Sequence, residues 1–435
     1  MGARLQLAAG GFAVIKRGIG KTVIDAARER IAWTFDNFER VYLSFSAGKD
    51  STVMLHLVAD EARARGRRFG VLIVDLEAQY KLTMEHAQTC VDMYKDCIEL
   101  YWCCLPIHLR NAVSVYEPFW LCWDPENEEG WVRQKPDCAL GNHESFPFFR
   151  VGMEFEEFVP EFGAWYAQGE RCACFVGIRC DESLNRFRTI ATSKKETLDG
   201  KRWTSRVVEQ VYNVYPIYDW KSQDLWVYHS KNKDRPYNKL YDMMHKAGVP
   251  MGHMRICQPY GDDQRKGLWL FHLIEPETWC KVVARVNGAN GGALYCQEWG
   301  NINGYRGVTK PTGHTWKSFA YLLAGSMPPK TKEHYKNKIL LFEKWWMERG
   351  YPAGIPDEAD YEMEQARKVP SWRRVVKSLL RNDYWCKGLG FSQHKSAAYK
   401  KYTDLMERRK TEWGVDAARL GFDTTAQKDL FDLRA

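Results

Sequence analysis

Ser46-Ala47-Gly48-Lys49-Asp50-Ser51 places two hydroxyls, a glycine, an ammonium and a carboxylate in six consecutive residues. An apolar, strand-like run, Val41 to Phe45, enters this segment and a helical pattern leaves it. A strand that turns sharply into a helix leaves several backbone N–H groups unpaired at the helix start, where the macrodipole also favours an anion. Small residues let phosphate oxygens approach that backbone. Gly48 can take a conformation closed to other residues, Ser46 and Ser51 offer hydroxyls, and Lys49 supplies a compact positive charge. The chemistry expected here is phosphate binding; the alternative is an ordinary strand-turn-helix corner capped by Asp50 or Ser51.

Two further blocks carry polar residues in a fixed order. The first is Phe175-Val176-Gly177-Ile178-Arg179-Cys180-Asp181-Glu182-Ser183, with Arg186 and Arg188 close behind. The second is Tyr215-Pro216-Ile217-Tyr218-Asp219-Trp220, followed by Asp224-Leu225-Trp226. Alone, a cluster such as Arg179, Asp181 and Glu182 is more often a surface ion-pair network than a site.

Together the three blocks resemble the PP-loop ATP pyrophosphatases, and within them the phosphoadenosine phosphosulfate reductase and sulfate adenylyltransferase small-subunit group. The loop of that family reads Ser-Gly-Gly-Lys-Asp-Ser, so five of its six positions match. The second block is similar to Gly-Ile-Arg-x-Asp-Glu-Ser and the third to Pro-Ile-x-Asp-Trp. The resemblance spans roughly residues 40 to 260, and the long remainder looks like the IbrA-type subfamily, a reductase-like domain with a C-terminal extension.

The resemblance implies ATP with Mg2+ as the ligand pair, or the equivalent phosphates of a sulfonucleotide. Ser44, Ser46, Gly48, Lys49, Asp50 and Ser51 would surround the β- and γ-phosphates. Asp75, closing the run Val74-Asp75, would sit at the ribose or adenine, or orient a metal. Gly177, Arg179, Asp181, Glu182, Ser183 and Arg186 would face the phosphates or the acceptor, with Lys49, Asp50, Arg179, Asp181 and Glu182 as the catalytic set. Ala47 departs from the family glycine, and its methyl group could narrow the approach or forbid a positive φ.

The reductases of this family also use a cysteine in a C-terminal Glu-Cys-Gly-Leu motif. The nearest string, Cys386-Lys387-Gly388-Leu389, has an extra residue, which argues against sulfonucleotide reduction. Cys103-Cys104 and Cys257 lack the Cys-x-x-Cys partner of the iron–sulfur enzymes, so no cysteine-bound cluster or zinc is expected. Gly18-Ile19-Gly20-Lys21-Thr22 resembles the end of a Walker A loop but lacks its first glycine.

The elements that must position these residues are legible as periodicity. Ile24, Ala27, Ile31, Phe35 and Phe38 predict a helix before the first strand, and Val53, Met54, Leu57 and Val58 another after the loop. Phe69 to Val74, Ile98 to Cys103 and Ala173 to Ile178 read as strands, with helices near Thr83 to Lys95 and Met153 to Gln168. This alternation implies an α/β fold with a doubly wound, mostly parallel sheet, and the resemblance implies that it is of the adenine nucleotide alpha hydrolase type. Residues 120–150 are expected as an inserted loop, 221–250 as two helices and the Lys338 to Arg349 stretch as helical. The organisation expected is a nucleotide-binding domain over 1–260 and a basic, mainly helical domain over 261–435.

Composition bounds the class. At 435 residues and 45% hydrophobic, the chain has material for two packed cores, and no run reaches the ~18 apolar residues of a membrane span. Thirteen irregularly spaced cysteines fit reduced thiols, so a cytoplasmic location with no membrane association is expected. The formal charge of +8 is uneven: Arg367 to Lys410 holds 13 Lys or Arg against three acids. Interleaved with Trp372, Tyr384, Trp385 and Tyr399, this segment is the candidate contact for nucleic acid. The functional expectation is an ATP-dependent enzyme that cleaves the α,β bond and adenylates an acceptor. The alternatives are a sulfonucleotide reductase, or a nucleotide-binding regulatory subunit working with the ParB-like partner that the IbrA-type resemblance implies.

Overall fold

The computed structural model describes residue 18 and residues 20–141, 145–192, 195–256, 260–261, 267–295 and 308–391. Helix α1 (Val23–Asn37), with Thr22 as its cap, precedes strand β1 (Arg40–Ser44). The chain then runs through α2 (Lys49–Ala64), β2 (Phe69–Val74), α3 (Lys81–Tyr94) and β3 (Ile98–Cys103). A short antiparallel hairpin follows, β4 (His108–Arg110) with β5 (Phe119–Leu121). Next come α4 (Phe155–Ala167), β6 (Cys172–Phe175), α5 (Leu184–Ala191), β7 (Thr204–Val208) and β8 (Val211–Val214).

Six strands form one sheet in the order β3-β2-β1-β6-β8-β7, parallel except for β7 against β8. The fold class expected from the alternation is therefore the fold observed. Strands buried on both faces are what a parallel sheet covered by helices requires, and β1 and β2 are near-continuous apolar runs. Tyr42 meets Phe162 and Tyr166 of α4, whereas Phe175, paired with Leu43 on the alternate face, meets Phe35 of α1. Helices thus cover both faces. Gly70 makes room for one of them: a Cβ there would lie 2.9 Å from Tyr42 and 3.0 Å from the Tyr166 ring.

Past the sheet lie α6 (Ser222–Lys231) and α7 (Leu240–Lys246), the two helices expected over 221–250. Lys221, rather than Ser222, is the cap of α6. Residues 120–150 are mostly irregular, as expected of an insertion, with a 3-10 turn over Pro125–Gly130. Helices α8 (Leu268–Ile274), α9 (Pro276–Arg285) and α10 (Ala289–Tyr295) lead to α11 (Trp316–Gly325), α12 (Pro329–Met347), α13 (Tyr361–Gln365) and α14 (Trp372–Leu380). Leu268, Phe271, Trp279, Val282 and Ala289 belong to the core built on the sheet. A separate core begins at Trp316 and uses Phe319, Tyr335, Phe342, Trp372 and Val376. Packing is therefore continuous across residue 260, and the change of core falls between Ala289 and Trp316.

The helical unit sits on the β4–β5 hairpin. Arg110 donates to the Asn382 carbonyl at 3.1 Å, and the Asn382 amide donates to the carbonyls of Ala112 and Ser114, each at 3.1 Å. No helix among the described residues is long and apolar enough to cross a membrane.

Candidate nucleotide site

Strand β1 has β2 on one side and β6 on the other, so the chain order reverses there, and ligands of doubly wound sheets bind beyond the strand ends at such a point. Ser44 closes β1, and residues 45–48 turn directly into α2. Gly48 is the cap residue in extended backbone, at φ −81° and ψ 165°. The left-handed residue is Ala47, at φ +56°. The conformational roles expected for these two positions are thus exchanged: the methyl group does not forbid the positive φ, although an L-residue there costs about 1–2 kcal/mol. Asn238 holds this turn by donating its side-chain amide to the Ala47 carbonyl at 3.0 Å.

The loop side chains converge. Ser46 and Ser51 hydroxyls are 3.1 Å apart, and Ser51 also donates to the Gly48 carbonyl at 3.2 Å. Lys49 is buried, its ammonium 3.2 Å from Asp50 and 3.3 Å from the Met254 carbonyl. Its backbone N–H donates to the Tyr241 hydroxyl at 3.0 Å. Arg179 Nε pairs with the other Asp50 oxygen, and the guanidinium is 2% exposed. Its Nη1 is buried with no hydrogen-bond partner among the described residues, which leaves a donor for an incoming anion. Gly177 permits this approach: a Cβ would lie 3.1 Å from the Asp50 carbonyl carbon and the Ser51 nitrogen.

A cavity of about 480 Å³ opens beside the loop at the ends of β1 and β2, with Ser44, Ser46, Val74 and Arg186 in its wall. Of the second block, Ser183 caps α5 by accepting from the Arg186 N–H at 3.2 Å. Glu182 lies 3.7 Å from the Arg186 guanidinium, and Asp181 is exposed on the turn.

Asp75 is not brought to the cavity. It is fully buried, accepts from Trp102 Nε1 at 2.8 Å and the Glu77 N–H at 3.0 Å, and pairs with Arg133. Glu77, at φ +60°, accepts from the Trp123 and Val132 N–H groups at 2.6 and 3.1 Å and pairs with Arg285 at 3.0 Å. These two acids organise the 120–150 insertion and anchor α9, a structural use that their place at a strand end does not disclose. The third block is structural as well: Asp219 holds Arg30 of α1 through two contacts of 2.9 and 2.7 Å.

Sequence reasoning missed several residues that the fold delivers to this region. Tyr241, Asn238 and Met254 lie some two hundred positions from the loop and carry no motif. Trp385 and Lys387, from the helical unit, line the cavity together with Arg110 and Phe119 of the hairpin. Cys386 between them turns the other way, into the second core, where burial pushes its thiol up. Cys103 and Cys104 are likewise buried with raised thiols; Cys257 lies outside the described residues.

His229 on α6 is buried near the start of α2, and desolvation lowers it to about 4. His86, whose Nε2 is 2.9 Å from the Thr52 hydroxyl, is also lowered to about 4 by burial. His56, between the Tyr94 hydroxyl at 2.6 Å and the Pro236 carbonyl at 3.0 Å, is lowered to about 3 by the same cause. All three are neutral at pH 7.

Over 407 residues the chain is 43% identical to Uncharacterized protein YbdN of Escherichia coli K12, an alignment covering 93% of this chain and 99% of the relative. A family model described as the phosphoadenosine phosphosulfate reductase domain matches residues 161–248. The chain belongs to the PP-loop, phosphoadenosine phosphosulfate reductase-like family. Its sheet domain is the nucleotide-binding fold of that family. A model described as Domain of unknown function (DUF3440) matches residues 248–354 and 351–400, the helical unit and the segment leading to it. An uncharacterized Methanocaldococcus jannaschii protein is 26% identical over 210 residues, 48% of this chain and 35% of that protein. Among solved structures, a phosphoadenylyl-sulfate reductase from Candida auris aligns at TM-score 0.31 and 16% identity, over 54% of this chain and 89% of the other. NMN synthetase from Francisella tularensis aligns at TM-score 0.28 and 12% identity, over 67% and 99%.

Proposed function

We propose that this protein is an ATP-dependent PP-loop enzyme that cleaves the α,β bond and transfers the adenylyl group to an acceptor. The observation that carries the reading is Nη1 of Arg179, which has no partner among the described residues and is buried beside Lys49 and the start of α2 at the reversal of strand order. In the reaction, an acceptor oxygen bonds to the α-phosphorus as the bond to the bridging oxygen breaks, and that electron pair leaves on pyrophosphate. Charge therefore grows on the leaving group, where Lys49, Arg179 and the N–H groups of α2 are fixed in advance. For the loop to take a phosphate at the Lys49 N–H, the Tyr241 hydroxyl must give up that donor. Magnesium accompanying the triphosphate needs only one or two carboxylates besides phosphate oxygens. Asp50 is the loop carboxylate, already paired with Lys49 and Arg179, and the metal when bound would offset phosphate charge.

Reduction of a sulfonucleotide is the weaker reading. It needs a thiolate at the cavity, and Cys386 is a buried thiol of the second core with its ionisation disfavoured. A nucleotide-binding regulatory role with a ParB-like partner keeps the loop chemistry but forms no product. Incubation with ATP, magnesium and candidate acceptors separates the first reading from the regulatory one: pyrophosphate with an adenylated acceptor, or with AMP released from it, supports adenylyl transfer, ADP plus phosphate opposes it, and binding without turnover supports the regulatory role.

A further inference from the structure

The helical unit has a cavity of its own, about 190 Å³, beside α14. Arg367, Arg374, Lys377 and Arg381 line it, with Glu364 and Asp383 as the acids. Both acids also accept from donors besides the cations of this wall. Glu364 accepts from Arg373 Nε at 2.9 Å and from the Ala359 N–H at 3.1 Å. Asp383 accepts from the N–H groups of Lys387 and Gly388 at 3.0 and 2.7 Å. The buried Arg374 guanidinium donates to two carbonyls, those of Val369 and Gly388, the latter at 2.8 Å. Lys377 stands 3.9 Å from Glu364, and Arg367 is exposed on a left-handed turn. Burial holds the Lys377 ammonium below its ordinary value, with Glu364 opposing and the surrounding guanidiniums adding to the shift, and burial followed by Arg367 lowers Arg374 against the pull of Glu364.

We propose that this cavity binds a phosphate group, a tetrahedral dianion whose charge offsets the two-unit excess of cations in its wall. Four cations against two acids, with Glu364 shared between Lys377 and Arg373, leave the wall a net positive charge for an anion to offset. Guanidinium forks and an ammonium are the donors that suit phosphate oxygens. The volume is below the ~300 Å³ at which pockets hold whole drug-sized ligands, so one phosphate group enters and the rest of its carrier stays outside. The site is distinct from the nucleotide loop. The 383–389 turn separates the two cavities, presenting Asp383 and Gly388 to one and Trp385 and Lys387 to the other.

The carrier is either a small phosphorylated compound or the 5′ end of a nucleic-acid strand. Titration with inorganic phosphate at constant ionic strength, followed by calorimetry, tests the site in the full chain. Wild type and Lys49→Ala are expected to bind, while Arg367→Ala/Lys377→Ala loses about tenfold or more in affinity. Arg367→Ala alone, at an exposed position, gives a smaller loss in the same direction and keeps the test valid if the double variant folds poorly. A 5′-phosphorylated oligonucleotide that outbinds its unphosphorylated twin, with the advantage erased in the variant, assigns the strand end; equal binding of the two assigns the small compound. Absence of phosphate binding in Lys49→Ala, or equal affinity in Lys49→Ala and a Lys49→Ala/Arg367→Ala/Lys377→Ala chain, overturns the proposal.

Discussion

At the start of α2, Lys49 and Arg179 converge on Asp50 with an open cavity alongside. On α14, Arg373 and Lys377 converge on Glu364 inside the fold, and Arg374 is bonded to backbone carbonyls. In sequence both regions read as phosphate contacts, the first as a small-residue loop with one lysine and the second as a basic stretch. The first keeps a buried guanidinium donor unmatched among the described residues, whereas much of the charge in the described part of the second is bound to Glu358, Glu364 and carbonyl oxygens. Charge density along a chain overstates the charge left for a ligand when part of it is taken up by acids of neighbouring segments. Lys400 and Lys401 of the same basic segment lie outside the described residues.

Acid is the strongest way to set the two regions against each other. His56 on α2, and His86 and His229 packed against that helix, have folded-state values of about 3, 4 and 4, below the 6.5 of an unfolded histidine. Between those values the unfolded chain binds more protons, so the stability of the sheet domain falls as pH drops below 6.5. Lowering pH from 7 to 5 should cost about 2 kcal/mol per histidine, about 5–6 kcal/mol together. Urea unfolding at the two pH values measures it, and His229→Phe should remove about a third of the loss.

Next in size is the buried pairing in the helical unit. Glu364→Gln leaves Arg373 and Lys377 without their shared counter-charge and should cost about 3–5 kcal/mol, read as a lower denaturation midpoint with nucleotide binding intact. The helical core should also answer acid in the opposite sense. Burial raises Glu343 to about 7 from 4.5, so its contribution is full below 4.5 and lost as pH rises through 7. The same step from pH 7 to 5 should add about 2 kcal/mol there, and Glu343→Gln should abolish that gain. The smallest effect is at the loop: Ala47→Gly should stabilise the chain by up to about 1 kcal/mol by relieving the positive φ, less the entropy that glycine adds to the unfolded state. A destabilised variant would show that the Ala47 methyl group, 2% exposed, matters more through packing.

How far the sequence discloses this molecule follows from how local each cause is. Strands β2 and β3 lie where their apolar runs place them, because burial against covering helices leaves a run of apolar residues in the chain, whereas the reversal of strand order at β1 is set by tertiary packing. The loop and Gly177 are legible for a similar reason: backbone approach restricts residue type at the position itself. Asp75 and Asp219 are not, since an acid at a strand end has the same letter whether it faces a ligand or, like these two, holds Arg133 or Arg30. Tyr241, Asn238, Trp385 and Lys387 reach the site through tertiary packing of later segments, which no spacing in the chain encodes.

The central claim is that the Ser46–Ser51 loop, with Arg179, binds the phosphates of ATP. Calorimetric titration of the full chain with ATP and magnesium, in wild type and Lys49→Ala, tests it most directly. Losing one charge-assisted contact should weaken binding by about 1.5–3 kcal/mol, roughly 10- to 150-fold, with the melting temperature of the free protein recorded alongside to separate binding from folding. Equal affinity of the two proteins for ATP would contradict the claim.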